Sequence, residues 1–471
     1  MLKNIFDPQY VAGLTVAISV IASAGPFGWV APIMNLILDE ESELYETSSE
    51  LSWMVVMPEI GNLFFSIPAG MLADSWGRKP LILLSGPVFV LTWVVILYLS
   101  KSYLILSVMR FLQGISVSIV FTVVPLYMGE ISSADQRGAI TSMFSNAFFL
   151  GYLLEYCVGP YTSYFTFTAF TATVPVLFTL AFMFQPESPY LLLMKGKERE
   201  AVEALARLRR DQSEEKLSAE LEEIRTSVKE YLENTTSMKD AIETASDRRA
   251  LLVVLLIGSV RLLSGGFVLT SYSTNLFTIS GPSYLSPDVL TIIMGAILFL
   301  GGFVNTFIVD RFGRRPLLIA SCAGCFFCTC SLSAYFYLTA MSSHYSIYSW
   351  VVPSVIMVYS VFMVMGLCPA LMTYTSELFT AKTKGAASSI SSVNLTVIAS
   401  LSVKMYQVVV DTYGLYAIFS IFSLFCLLGT VLLYKFAPET KGKTFTEIRE
   451  GLVLTTKKQN GSSNKNNNCL A

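Results

Sequence analysis

Apolar runs of about 20 residues recur along the whole chain, and this feature decides the fold class. A bilayer core about 30 Å thick is crossed by ~20 helical residues rising ~1.5 Å each. Twelve such runs can be drawn, at 10–34, 52–73, 81–99, 104–127, 138–159, 164–184, 251–280, 286–309, 316–340, 347–374, 386–410 and 414–436. Charged residues are only 14% of the chain, against about 25% in a soluble domain. A soluble protein with an oversized apolar core does not account for the recurrence. The expected fold is an all-α membrane protein of twelve transmembrane helices, with the lipid bilayer as its solvent.

The polar segment 185–250 divides the runs into six and six. The expected organisation is a first six-helix bundle over 1–184, a linker over 185–250, a second bundle over 251–436 and a tail over 437–471. Within the linker, KGKEREAVEALARLRR and SAELEEIRTSVKEYLE have helical spacing and mixed charge, which predicts short solvated helices. The linker holds 12 of the 32 basic residues, while the first outward loop, DEESELYETSSE, has six acids and no base. That asymmetry predicts a cytosolic linker and cytosolic termini. The expected location is the plasma membrane. The polar ending QNGSSNKNNNCLA predicts disorder.

The residue inventory excludes most chemistry. The single histidine, His344, falls in a predicted loop. Cys322, Cys325, Cys328 and Cys330 cluster inside one apolar run without flanking turns, so they read as small packed hydrophobes and not as metal ligands. There is no nucleophile–base pair, metal cluster or phosphate-binding glycine loop. No enzyme activity, metal, cofactor or nucleic-acid partner is implied, and the sequence is silent on oligomeric state.

An internal repeat is present. GMLADSWGRKP from Gly70 matches TFIVDRFGRRP from Thr306, PLYMGEISSADQRGA from Pro125 is echoed by LMTYTSELFTAKTKGA from Leu371, and PESP at 186 is echoed by PETK at 438. Three echoes in the same order argue for two related halves, an architecture of carriers with a solute site between the halves near the midplane. The repeated motifs place carboxylates beside cations at span ends: Asp74, Arg78, Glu130, Arg137 and Glu187 in the first half, and Asp310, Arg311, Arg314, Glu377, Lys384 and Glu439 in the second. Charged hydrogen bonds of this kind can latch helix ends across the two halves and bias an alternating-access equilibrium.

These motifs give the chain a family resemblance. ADSWGRK (73–79), RFLQG (110–114), PLYMGEISSADQRG (125–138), PESP (186–189), LSGG (263–266), VDRFGRR (309–315), SELF with the later KG (376–385) and PETKGKTF (438–445) resemble the sugar porter family of the major facilitator superfamily. Within it the chain is most similar to insect facilitative trehalose and glucose transporters. The resemblance implies a two-bundle carrier that moves a small solute, a hexose or trehalose, by facilitated diffusion as the halves rock. It also implies a central cavity where amides and an aromatic hold the sugar.

At the cavity positions this chain departs from the family. Arg261 and Leu262 stand where relatives have two glutamines, Phe267 where an asparagine is expected, Ser145 where a glutamine is usual, and Met372 where relatives have tryptophan. Asn394 is retained. Each lost amide removes hydrogen bonds worth about 1–3 kcal/mol to a buried hydroxyl. Two alternatives therefore stand beside sugar transport: a carrier of a non-sugar or anionic solute, and a transporter-like sensor.

Arg261 sharpens the choice. Arginine stays charged in proteins, and at a bilayer midplane it costs roughly 2.5–3.5 kcal/mol on insertion scales. Counted from Ala250 it lies ~16 Å into its span. Glu59, ~12 Å in from Leu51 by the same rise, is the other clearly intramembrane charge, while Glu155 falls nearer an outer end. Three readings compete. Arg261 binds an anionic or strongly hydrogen-bonding solute, pairs with Glu59 or Glu155, or blocks the cavity of a sensor. No acidic residue lies in Tyr10–Leu38, where proton-coupled relatives carry one.

Overall fold

A computed structural model describes residues 7–39, 42, 47–99, 102–133, 135–209, 213–233, 244–281, 284–341, 348–379, 381–441 and 447. His344 and the polar ending QNGSSNKNNNCLA lie outside the described residues, which contain helices and no strands. The first bundle is α1 (Pro8–Gly28) with its continuation α2 (Val30–Ile37), α3 (Ser48–Ser75), α4 (Arg78–Leu99), α5 (Tyr103–Ile131), α6 (Arg137–Val158) and α7 (Tyr164–Phe182). The linker carries α8 (Pro189–Met194), α9 (Glu198–Leu208) and α10 (Glu214–Glu233). The second bundle begins with a broken rod of α11 (Ala245–Leu263), α12 (Gly266–Ser271) and α13 (Ser273–Ile279), followed by α14 (Pro287–Phe312) and α15 (Arg314–Met341). Its last three rods are α16 (Val351–Phe362) leading into α17 (Cys368–Leu378), then α18 (Ala381–Tyr413) and α19 (Leu415–Phe436).

Eleven helices among the described residues are long and apolar enough to cross a membrane. The twelfth expected span, α6, has the length at 22 residues, but Arg137, Asn146 and Glu155 make it more polar. Two rods depart from the continuous spans expected. LSGG breaks the seventh after Leu263, where Gly265 takes φ +93°, a left-handed conformation that favours glycine. A Cβ there would also lie 2.7 Å from the Phe422 ring. The tenth contains a π turn over Met363–Leu367. The Ser321 hydroxyl enters it, donating to Phe362 O and accepting from Leu367 N–H at 3.1 Å, which satisfies backbone groups that lipid could not.

Within each half, helices pack on small residues, as membrane helices must when lipid is as apolar as leucine. Gly61 of α3 and Gly114 of α5 put two backbones in contact. Trp29 and Trp93 meet edge to face at 5.5 Å inside the first bundle. Cys322 and Cys325 are buried in the second.

The linker helices form their own small core around Leu192, Leu193, Ala201, Ala204 and Val228. The buried guanidinium of Arg209 bolts them to the first bundle. It pairs with Glu220 at 2.8 Å and donates to Gln9 Oε1 at 3.2 Å and Ile131 O at 3.0 Å. The Lys195 ammonium adds a bond to Ser75 O at 2.7 Å.

The two bundles meet along a seam where α3 packs on α18, α6 on α14, and α2 on α13. This seam positions the site.

Candidate functional site

The repeated motifs fold into matching clusters at the linker end of each half. Arg78 pairs with Asp74 at 2.7 Å and Glu130 at 3.1 Å. Its counterpart Arg314 reaches Glu377 at 3.3 Å. Tyr127 donates to Pro186 O at 2.8 Å, and Tyr374 to Pro438 O at 2.9 Å. Sequence reasoning passed over these tyrosines, although both echoes read Tyr-x-x-Glu. Glu187 accepts from Lys79 N–H at 3.1 Å, and Glu439 accepts from Arg314 N–H at 3.2 Å and Arg315 N–H at 3.1 Å. Each carboxylate thus takes orphan donors at the start of a helix.

Among the described residues the ion pairs of these motifs, Arg78 with Asp74 and Glu130 and Arg314 with Glu377, close within their own halves. The reason is reach, since each arginine opens a helix directly beside the carboxylates of its own repeat. Arg137 is exposed at the start of α6. Arg311 is exposed with its guanidinium 5.9 Å from the Phe312 ring centroid. The side chains of Asp310 and Lys384 lie outside the described residues.

Glu439 lies outside the spans and carries a pH prediction. Burial pushes its carboxyl up. Hydrogen bonds from the backbone N–H groups of Lys441, Arg314, Arg315 and Thr440 outweigh burial and hold it below its ordinary 4.5. A lowered folded value means that its stabilisation is present above the unfolded value and is lost as pH falls through the folded one. The melting temperature of Glu439→Gln is expected to fall below that of the natural chain at pH 7. Melting curves across pH should show the gap closing as pH drops below 4.5; a constant gap would contradict the assignment.

At the opposite end of the bundles the contacts cross the seam. Lys404 on α18 donates to Ser52 Oγ at 2.6 Å and Ser49 O at 3.3 Å, with its ammonium 4.0 Å from the Trp53 ring centroid. Ser52 also donates to Gln407 Oε1 at 3.1 Å, and Asn35 Nδ2 donates to Thr278 at 3.3 Å. Tyr156 on α6 donates to Thr270 O at 2.7 Å.

Between these ends lies the midplane. Glu59 sits near the middle of α3, half-buried, one turn before Asn62 on the same helix face. Asn62 donates across the seam to Thr396 Oγ1 of α18 at 3.2 Å. Two residues before Thr396, Asn394 donates to Leu255 O at 3.3 Å and Ser259 Oγ at 3.2 Å, both on α11. Arg261 follows two residues after Ser259, half-buried, and its Nε is buried without a hydrogen-bond partner. The charge of Arg261 acts across the seam on Glu59 and on Tyr152 of α6, yet it forms no ion pair with Glu59 or Glu155 among the described residues. Glu155 is buried in the first bundle, where Thr171 donates to it at 2.8 Å.

Aromatic rings line the same level. Phe267 meets Phe27 across the seam at 5.7 Å, and Phe148 packs on Phe27 at 6.3 Å and on Tyr152 at 5.2 Å. Of the six cavity positions expected, Arg261 and Phe267 reach the seam. The retained amide of Asn394 is engaged by α11, Leu262 is buried, and Ser145 and Met372 are exposed on α6 and α17. Asn62, Tyr152 and Thr396 were missed. The Glu59-x-x-Asn62 spacing could have flagged the first, because it puts both on one helix face.

Two repeated helix bundles with a polar, aromatic-walled midplane between them define a membrane carrier. The match to the family described as "Sugar (and other) transporter" runs over residues 10–452, and the chain belongs to that family. It is 26% identical to the facilitated trehalose transporter Tret1 of Bombyx mori, over 98% of this chain and 90% of the relative. Against the Tret1 of Aedes aegypti it is 24% identical and spans 56% of that longer protein. It is 28% identical to mouse solute carrier family 2, facilitated glucose transporter member 7, over 86% of this chain and 80% of the relative. The fold is that of the Escherichia coli xylose transporter XylE in its inward open conformation, with TM-score 0.78, 19% identity, and 94% and 99% of the two chains covered. The XylE proton:xylose symporter bound to 6-bromo-6-deoxy-D-glucose matches at TM-score 0.74 and 21% identity, covering 95% and 99%.

Proposed function

We propose that this chain carries a neutral sugar, a hexose or trehalose, across the plasma membrane by facilitated diffusion. One observation carries the reading: half-buried hydrogen-bonding groups and aromatic rings face each other across a seam at the membrane midplane. A sugar needs that combination, donors and acceptors for its hydroxyls and an apolar face for its ring. The family and its trehalose- and glucose-transporting relatives support it. The linker end faces the cytosol, in line with its basic residues. Purified full-length protein in proteoliposomes is expected to give saturable uptake of D-glucose or trehalose without an imposed proton gradient. Uptake no faster than in empty liposomes would overturn the proposal.

In this reading the conformation is closed at the far end, and Lys404 is part of what closes it. Its bond to Ser52 and its place over Trp53 are together worth roughly 1–2 kcal/mol. Lys404→Met is expected to raise the share of molecules open at the far end about tenfold. Spin labels at Asp39 and Thr412 would read the change as a longer distance population, and an unchanged distribution would remove Lys404 from the gate.

A further inference from the structure

We propose that Glu59 and Arg261, one on each bundle, form a split charge pair that holds the sugar by its hydroxyls. This rests on the sugar-transport reading and adds the residues and the selectivity. Hydrogen bonds from Asn62 to Thr396 and from Asn394 to Ser259 tie α3, α18 and α11 together, and Glu59 one turn from Asn62 and Arg261 two residues from Ser259 share that level of the seam. Both are half-buried, so a solute between the bundles can reach them. Arg261 keeps a buried Nε with no partner, although an unsatisfied donor of this kind is costly. An orphaned donor within electrostatic reach of a carboxyl that it does not pair with can be satisfied by a group that bridges the two.

A hydroxyl is such a group. It donates to a carboxylate and accepts from a guanidinium, so a sugar diol can satisfy both sides together. A carboxylate solute can satisfy only Arg261 and is repelled by Glu59. An ammonium solute has the reverse difficulty. Opposed charges therefore select a neutral polyol by rejecting charged analogues, a specificity that comes as much from repulsion as from attraction. The same pair explains how the chain handles sugar without the amides usual in its relatives. Because one partner rides on each bundle, the bound sugar also links the halves during their movement.

The test uses purified full-length protein, measuring equilibrium binding and proteoliposome uptake of D-glucose, trehalose and D-glucuronate. The natural chain is expected to take a neutral sugar, with D-glucuronate and D-glucosamine competing at least tenfold more weakly. Arg261→Gln and Glu59→Gln are each expected to weaken the neutral sugar at least tenfold, and Glu59→Gln to admit D-glucuronate. The double variant should be no worse than the poorer single one, since neither charge is then left unopposed. Arg261→Lys and Glu59→Asp, which keep the charges, should retain partial binding. If the natural chain takes none of the sugars, the transport reading fails and this proposal with it. If it takes a neutral sugar while both glutamine variants bind normally, or while D-glucuronate competes as well as D-glucose, this proposal alone fails. The competition measurement needs no variant, so misfolding of a mutant leaves the test intact.

Discussion

Replacing Arg78 with alanine is expected to abolish recovery of folded protein. Its side chain is 4% exposed, while that of Glu130 is 14% exposed. One guanidinium holds Asp74, Glu130 and the carbonyl of Ala73 at 2.9 Å. Removing one partner of a buried pair leaves an uncompensated charge and costs about 3–5 kcal/mol. Arg78→Lys keeps the charge but cannot span three acceptors, so an intermediate loss is expected. Arg314→Ala should cost less, about 1 kcal/mol, because Arg314 and Glu377 are 19% and 27% exposed. Fluorescence-detected size exclusion and melting in detergent would rank the three. Equal behaviour of Arg78→Ala and the natural chain would refute the argument.

Gly114→Ala is the second large expected effect. A Cβ at Gly114 would lie 2.1 Å from Pro58 O and 2.9 Å from Gly61 Cα, and one at Gly61 would lie 2.1 Å from Phe111 O. These obstacles are backbone atoms in helices, so no flexible side chain can give way. Overpacking commonly costs 1–3 kcal/mol and occasionally more, and a clash with backbone falls at the upper end. The damage extends to function, because α3 also carries Glu59 and Asn62 to the seam. Lower yield, earlier melting and weakened sugar uptake are expected together. Gly129→Ala and Gly138→Ala are the controls: nothing lies within 4 Å of either added Cβ, and both should behave as the natural chain does. If Gly114→Ala matched these controls, the close approach of α3 and α5 would be wrong.

The parts legible from the sequence are those set by local spacing. Apolar length marks the membrane rods, and the repeated motifs mark the clusters at their ends, although only the Arg78–Asp74 contact is local, Glu130 and Glu377 lying 52 and 63 residues from their arginines. The break at Gly265 was not legible, since the run 251–280 reads as one continuous span and LSGG served only as a family motif. Partner choice was not legible. Whether Arg78 reaches its own half or the other depends on which helix ends are neighbours, and no pattern along the chain encodes that. Nor does Arg261 announce Glu59, about 200 positions away, since only the packing of α3 against α18 brings their levels together. The π turn at Met363–Leu367 depends on a serine hydroxyl from α15 and has no local signature.

The Arg209 bolt has a practical consequence. Because α9 and α10 are fastened to the first bundle, a fluorophore or antibody fragment on the outer face of α10 moves as that bundle moves. α10 is not one of the membrane-spanning helices, so labelling there leaves the midplane untouched. Paired with a second dye at the end of α19, it would turn single molecules in a vesicle into tilt meters, reporting each swing of the two bodies without a transported substrate to count.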